Sequence, residues 1–159
     1  MSTFATIIEL YKFKEVTFYS LILEGEQKPL GMQFLENHGK HPHFRVLMTW
    51  LKKIGNDYSA AQYFFRPEKK ADALPPPRDI THEVCDLRWY CLRMTQSSVV
   101  VFNGGVKTTR KAQHCPNVKG HFHQANFLSE KIWASFDSKE ISLDNNDRLV
   151  VEKDYKLNL

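Results

Sequence analysis

The stretch Val84-Cys85-Asp86-Leu87-Arg88-Trp89-Tyr90-Cys91-Leu92-Arg93-Met94, followed after a Thr95-Gln96 turn by Ser97-Ser98-Val99-Val100-Val101-Phe102-Asn103, decides the fold. Its aromatic and β-branched residues favour a pleated, half-buried surface. A period of two puts Cys85, Leu87, Trp89 and Cys91 on one face of the first run and Asp86, Arg88, Tyr90 and Leu92 on the other. The second run is apolar almost throughout, as expected of a strand covered on both faces. So short a turn joins antiparallel neighbours, so the two runs read as a hairpin at the heart of an antiparallel sheet, broken by Gly104-Gly105.

Working back from this hairpin, residues 66–83 hold RPEKK and LPPPR, whose three consecutive prolines exclude helix and central strand and predict an extended connector. Before it, Phe44, Leu47, Trp50, Leu51 and Ile54 recur at three and four residues, predicting a helix over 42–54 that stops at Gly55. Pro29 suits the first turn of another helix over 29–38, ending at Gly39, so the two helices form a hairpin. Residues 7–13 alternate and predict an opening strand, with Ile7, Glu9, Tyr11 and Phe13 on one face. Working forward, 106–117 read as a basic strand or loop. Residues 120–136 predict a helix striped by Phe122, Ala125, Leu128, Ile132 and Phe136. Residues 140–152 predict a β-hairpin turning at Asp144-Asn145-Asn146-Asp147. The fold class is therefore α+β: an antiparallel sheet with an N-terminal helical hairpin packed on it, a C-terminal helix and an added C-terminal β-hairpin. One domain over 1–159 is expected, with 137–159 as an extension.

Charge is unevenly placed. Residues 38–123 carry 14 Lys/Arg against 6 Asp/Glu and all seven histidines, between mildly acidic flanks, although the whole chain is only +4. A basic block of this kind suits a polyanionic partner. No apolar run has the length to span a bilayer, and the first residues lack a basic region and a cleavage site, so a cytoplasmic protein without membrane partners is expected. Three cysteines, Cys85, Cys91 and Cys115, without framework spacing imply reduced thiols rather than disulfides.

The helical hairpin, the arginine-bearing strand Asp86–Arg93, the apolar strand Val99–Asn103, then Gly104-Gly105-Val106-Lys107-Thr108-Thr109-Arg110-Lys111, Pro116 and the Ala125 helix together resemble the RelE/HigB-type toxins of bacterial type II toxin–antitoxin pairs. The resemblance implies an mRNA endoribonuclease, associated with the ribosome and neutralised by a cognate antitoxin protein. The chain departs from that pattern in having Lys107-Thr108 where paired lysines are usual, a longer LPPPR connector and a C-terminal extension. A non-catalytic RNA- or protein-binding member of the same fold is the alternative.

Independently of the family, RNA cleavage without metal needs a base at the 2′-hydroxyl, cations for the phosphorane charge and an acid for the leaving 5′-oxygen. Arg88 and Lys107 are the catalytic candidates. Arg93, Arg110 and Lys111 are RNA-binding candidates because cationic side chains suit phosphate oxygens, arginine bidentately, and Tyr90 joins them as a ring able to stack on a base. His121 and His123 are candidates for proton transfer, histidine being the side chain that titrates near neutrality. No cofactor or metal is expected. His114-Cys115, His121-x-His123 and His82-x-x-Cys85 offer nitrogen and sulfur donors, and a metal-dependent small-molecule enzyme would rest on them alone, but their spacing fits no standard zinc motif.

Overall fold

A computed structural model describes residues 2–74 and 86–159; the proline connector at 75–85, with His82 and Cys85, lies outside the described residues. In chain order the elements are β1 (Phe4–Lys12), β2 (Thr17–Leu23), α1 (Leu30–His38), α2 (Phe44–Lys53), β3 (Arg66–Glu68), β4 (Ala71–Leu74), β5 (Leu87–Thr95), β6 (Ser98–Val106), α3 (Lys119–Asp137), β7 (Ser142–Leu143), β8 (Leu149–Val150) and β9 (Leu157–Asn158). The main sheet has seven strands in the order β3-β4-β5-β6-β2-β1-β9, and β7-β8 form a separate pair.

The decisive hairpin forms as read. Strands β5 and β6 pair antiparallel, and every residue from Ser98 to Gly105 is buried. The alternation of β5 divides the interior in two. Tyr90, Leu92 and Met94 join the core under α3 with Phe122, Ala125, Leu128 and Ile132. Leu87, Trp89 and Cys91 join the core under α1 and α2 with Phe34, Leu47, Trp50 and Leu51. Trp89 stacks on Phe34 at 4.6 Å between centroids, and its indole N–H donates to the Phe102 carbonyl at 2.8 Å. A buried tryptophan thus keeps its one polar atom satisfied.

Several expectations are corrected. Gly104-Gly105 does not break β6, which runs on to Val106. The glycines are there for close approach: a Cβ on Gly104 would lie 1.9 Å from the Arg88 carbonyl oxygen, and one on Gly105 2.8 Å from that of Asn117. The sheet is not wholly antiparallel, because β2 pairs parallel with β6. That pairing is possible because the long excursion through both helices supplies the crossover a parallel pair requires. Two strands precede the helices, so the helical pair is not N-terminal. A register shift between Glu9 and Tyr11 breaks the alternation of β1, sending Ile7 to the α3 side and Tyr11 and Phe13 to the α1–α2 side. The second helix does not stop at Gly55. It continues through a π-helical turn, Ile54–Tyr58, in which the Gly55 carbonyl accepts the Glu15 and Val16 amides of the β1–β2 turn at 2.7 and 3.1 Å.

The C-terminal residues are woven into the core. Leu149 and Leu157 are buried beneath α3, β9 extends the main sheet beside β1, and the Tyr19 hydroxyl donates to the Leu149 carbonyl at 3.2 Å. Among the described residues no helix is long and apolar enough to cross a membrane.

Gly104→Ala is expected to lower stability by about 2 to 3 kcal/mol, the cost of forcing packed backbone apart, because the obstacle is a carbonyl rather than a movable side chain. Gly120→Ala meets nothing within 4 Å and is expected to gain about 0.5 kcal/mol from reduced freedom of the unfolded chain. Urea unfolding midpoints measure both.

Candidate functional site

Strand register builds a charged patch at the β3-β4-β5 end of the sheet, on the α3 side. Arg66 and Glu68 stand opposite Ala73 and Ala71, and Ala73 stands opposite Tyr90. Directly paired residues share a face, and the two alanines put almost no bulk between the β3 side chains and Tyr90. Beyond Tyr90, Arg88 stands opposite Gly105, whose own position adds no side chain. Lys107 follows the end of β6 and is fastened by its amide, which donates to the Asp86 carbonyl at 2.7 Å.

Arg88 is 6% exposed, so its guanidinium is held inside the molecule rather than waving in solvent, and its Nη1 reaches the Leu87 carbonyl at 3.4 Å. Burial raises the Glu68 carboxyl above its ordinary range, while the charges of Lys107, Arg66 and Arg88 pull it back down. Lys107 is shifted down, first by burial and then by Arg88, with Glu68 opposing. Tyr90 is fully buried, packed edge-on to Phe122 at 6.1 Å, and its hydroxyl has no hydrogen-bond partner. Burial raises the phenol strongly, and the neighbouring Glu68 raises it further. The buried Arg88 and Tyr90 hydroxyl and the partly buried Glu68 and Lys107 therefore share a small, partly dehydrated region where charge interactions are strong, with Arg66 exposed at its rim.

Of the candidates from sequence, Arg88, Lys107 and Tyr90 come together here. The Tyr90 ring is enclosed, leaving no open face for a base; only its hydroxyl points toward the charges. Arg93 does not join them, because alternation turns it to the opposite face, where Nε donates to the Ala60 carbonyl at 2.6 Å. Arg110 and Lys111 are exposed on the loop between β6 and α3. His123 is exposed. His121 is half-buried, and its pKa is lowered first by burial and then by the charge of His38; His38 is itself lowered by burial, with its Gly104 bond opposing and His41 adding to the shift. His38 in turn donates Nε2–H to the Gly104 carbonyl at 3.3 Å.

Arg66 and Glu68 escaped the sequence reading because RPEKK looks like a charged linker. The segment becomes a hairpin through a turn with neither Asn nor Gly, in which Lys69 takes a φ of 66°. A distant side chain stabilises that turn: the Asn126 carboxamide oxygen of α3 accepts the Lys70 and Ala71 amides at 2.7 and 3.0 Å.

Cys115 lies near the patch and is fully buried at the rim of the core under α3. Burial raises its thiol, but hydrogen bonds from the Thr108 hydroxyl and from the Thr108, Asn117 and Thr109 amides outweigh that and lower it to about 6. The Thr108 amide is 3.3 Å from the sulfur. The other described cysteine, Cys91, is pushed up by burial in the opposite core. Among the described residues His114, Cys115, His121 and His123 form no three-ligand group. Compared with known proteins, the chain matches no family model, no curated protein and no solved structure.

An acid whose ionised form is favoured by the fold binds fewer protons folded than unfolded, so its contribution to stability is present above the unfolded pKa and is lost as pH falls. For Cys115 the window runs from the ordinary thiol value of 9.0 down to about 6. Stability of the wild type is expected to fall across that window on acidification. Cys115→Ser is expected to flatten this part of the profile and to remove the thiolate absorbance that the wild type gains near pH 6, as chemical denaturation and ultraviolet titration would show.

Proposed function

We propose that the chain is a metal-independent endoribonuclease of the RelE/HigB kind, cutting mRNA at the ribosome and held inactive by a protein antitoxin. The observation that carries this reading is the gathering of Arg66, Arg88 and Lys107 around the half-buried Glu68. A carboxyl raised by burial is better matched to take a proton near neutrality than an ordinary one. In the proposed step Glu68 accepts the 2′-hydroxyl proton as the 2′-oxygen bonds to phosphorus, the bond from phosphorus to the 5′-oxygen breaks, and the 5′-oxygen takes a proton from water and leaves as a hydroxyl, giving a 2′,3′-cyclic phosphate. The cations hold the phosphorane charge, and the dehydrated setting of Arg88 makes it worth more than it would be in water. Arg110 and Lys111, exposed beside the patch, contribute attraction along the RNA backbone. The family resemblance in the order of helices, arginine strand, apolar strand, glycines, lysine and closing helix supports the same reading. An antitoxin with an acidic segment would gain most by covering this patch, where like charges are crowded.

The enclosure of Arg88 and Tyr90 favours a second reading, in which these groups brace the sheet and the exposed cations bind RNA or a protein without cutting. One assay separates the two. Wild type, Arg88→Ala, Lys107→Ala, Glu68→Gln and the control Lys52→Ala, on the exposed side of α2, are expressed from a repressed promoter while growth and transcript integrity are followed. Losing one preorganised cation is expected to reduce cleavage by about 100- to 1000-fold, and Glu68→Gln by about 100-fold or more. Lys52→Ala stays toxic. Far-UV circular dichroism checks that the variants are folded. A wild type that binds RNA yet leaves transcripts whole with ribosomes present would establish the binding reading instead.

A further inference from the structure

The turn between α1 and α2 carries His41-Pro42-His43, and Asp86 stands at the start of β5, 45 residues along the chain from His41. One ligand-capable atom from each of His41, His43 and Asp86 lies within 4.8 Å of the others, the only such three-residue group among the described residues. Their positions are fixed by backbone. The His41 amide donates to the His38 carbonyl, the Phe44 amide to the His41 carbonyl and the Leu47 amide to the His43 carbonyl, each at 3.0 Å. Pro42 removes φ freedom between the two histidines. On the other side, Asp86 is held by the Lys107 amide on its carbonyl at 2.7 Å. His41 Nε2 already faces Asp86 Oδ1 at 3.3 Å, with the Asp86 side chain 47% exposed.

We propose that His41, His43 and Asp86 bind one first-row divalent transition-metal ion, with zinc the best match. Two imidazoles and one carboxylate are the donors such ions share, whereas magnesium and calcium prefer all-oxygen shells. Three protein ligands leave a fourth tetrahedral position, and the exposed side of Asp86 opens that position to water. Without metal, His41 Nδ1 accepts the His43 amide hydrogen at 3.1 Å, so the ring proton sits on Nε2 and is shared with Asp86. On metal entry the ion takes the place of that proton, the proton moves to Nδ1, and the His43 amide contact is exchanged for a metal bond. The bound ion ties the α1–α2 turn to the root of β5, two residues from Arg88 and against the backbone that anchors Lys107. The proposal is independent of what the charged patch does: it stands if the patch is only a binding surface.

The test uses the full chain stripped by a chelator. Zinc chloride is titrated calorimetrically and cobalt chloride by visible absorption, and the thermal midpoint is followed with and without zinc. The wild type is expected to take up one equivalent and to melt higher with zinc. Asp86→Asn, which keeps the shape of an exposed side chain, and His41→Gln are each expected to weaken uptake by about a hundredfold or more, since even changes beyond the ligands cost about 10- to 100-fold. His114→Ala and His123→Ala remove exposed histidines elsewhere and are expected to bind as the wild type does. Absence of saturable uptake in the wild type overturns the site, and so does undiminished binding in Asp86→Asn and His41→Gln. Loss of binding in His114→Ala would overturn it equally, by locating the ligands elsewhere.

Discussion

Strand β5 is covered on both faces, and most of what distinguishes the molecule follows from how it meets that constraint. Its alternation feeds Trp89 to one core and Tyr90 to the other, so the sheet is the shared wall of two interiors rather than the floor of one. A wall of this kind has no solvent side on which to leave polar side chains. Arg88 falls on the α3 side of this wall by parity alone, and burying a cation there costs several kcal/mol unless opposite charge and hydrogen bonds offset it. The neighbouring strands answer with small residues and one acid. Gly105 stands beside Arg88, Ala71 and Ala73 fill the next strand, and Glu68 on β3 is near enough for the Arg88 charge to lower its carboxyl.

The same geometry explains why β6 must be glycine where it faces Arg88. The Arg88 carbonyl approaches the Gly104 Cα so closely that any side chain would collide with backbone. That approach keeps the two strands paired up to Val106 and delivers Lys107 to the level of Asp86. A residue at the end of a sheet is ordinarily among the freest in a fold. Here its amide is bonded and its ammonium group is partly dehydrated, so its position is set before any partner arrives.

What the sequence disclosed, and what it hid, divide along the range of the interactions involved. Alternation and helical periodicity are local, and they located β5, β6, α2 and the buried stripe of α3. The β3–β4 hairpin could not be seen because its turn is secured by Asn126, 56 residues beyond Lys70, and no local signal marks it. The parallel pairing of β2 with β6 and the capture of the C-terminal residues by the sheet edge and the α3 core are likewise decisions of the assembled chain. Within the charged patch, Arg88 stood out because a lone arginine between apolar neighbours needs a partner. Glu68 and Arg66 sat in a segment that looked like solvated linker. Arg93 shows the opposite limit: it has the same residue type on the same strand, but odd spacing from Arg88 sends it through the sheet to bond the Ala60 carbonyl.

Burial also sorts the cations by what they are able to do. An arginine enclosed to 6% exposure has surrendered its rotamer freedom during folding, so on the proposed function it meets a phosphate without a further entropic cost, and in a dehydrated setting it acts with little screening. Arg110 and Lys111 are exposed and must be ordered at each encounter, with salt screening their attraction. On the proposed function, the first class governs what happens to a phosphate once it is seated, and the second governs how readily a polyanion arrives. On that reading high salt acts on arrival far more than on the seated state, and the wall that forces Arg88 inside separates recognition from chemistry within a single basic block.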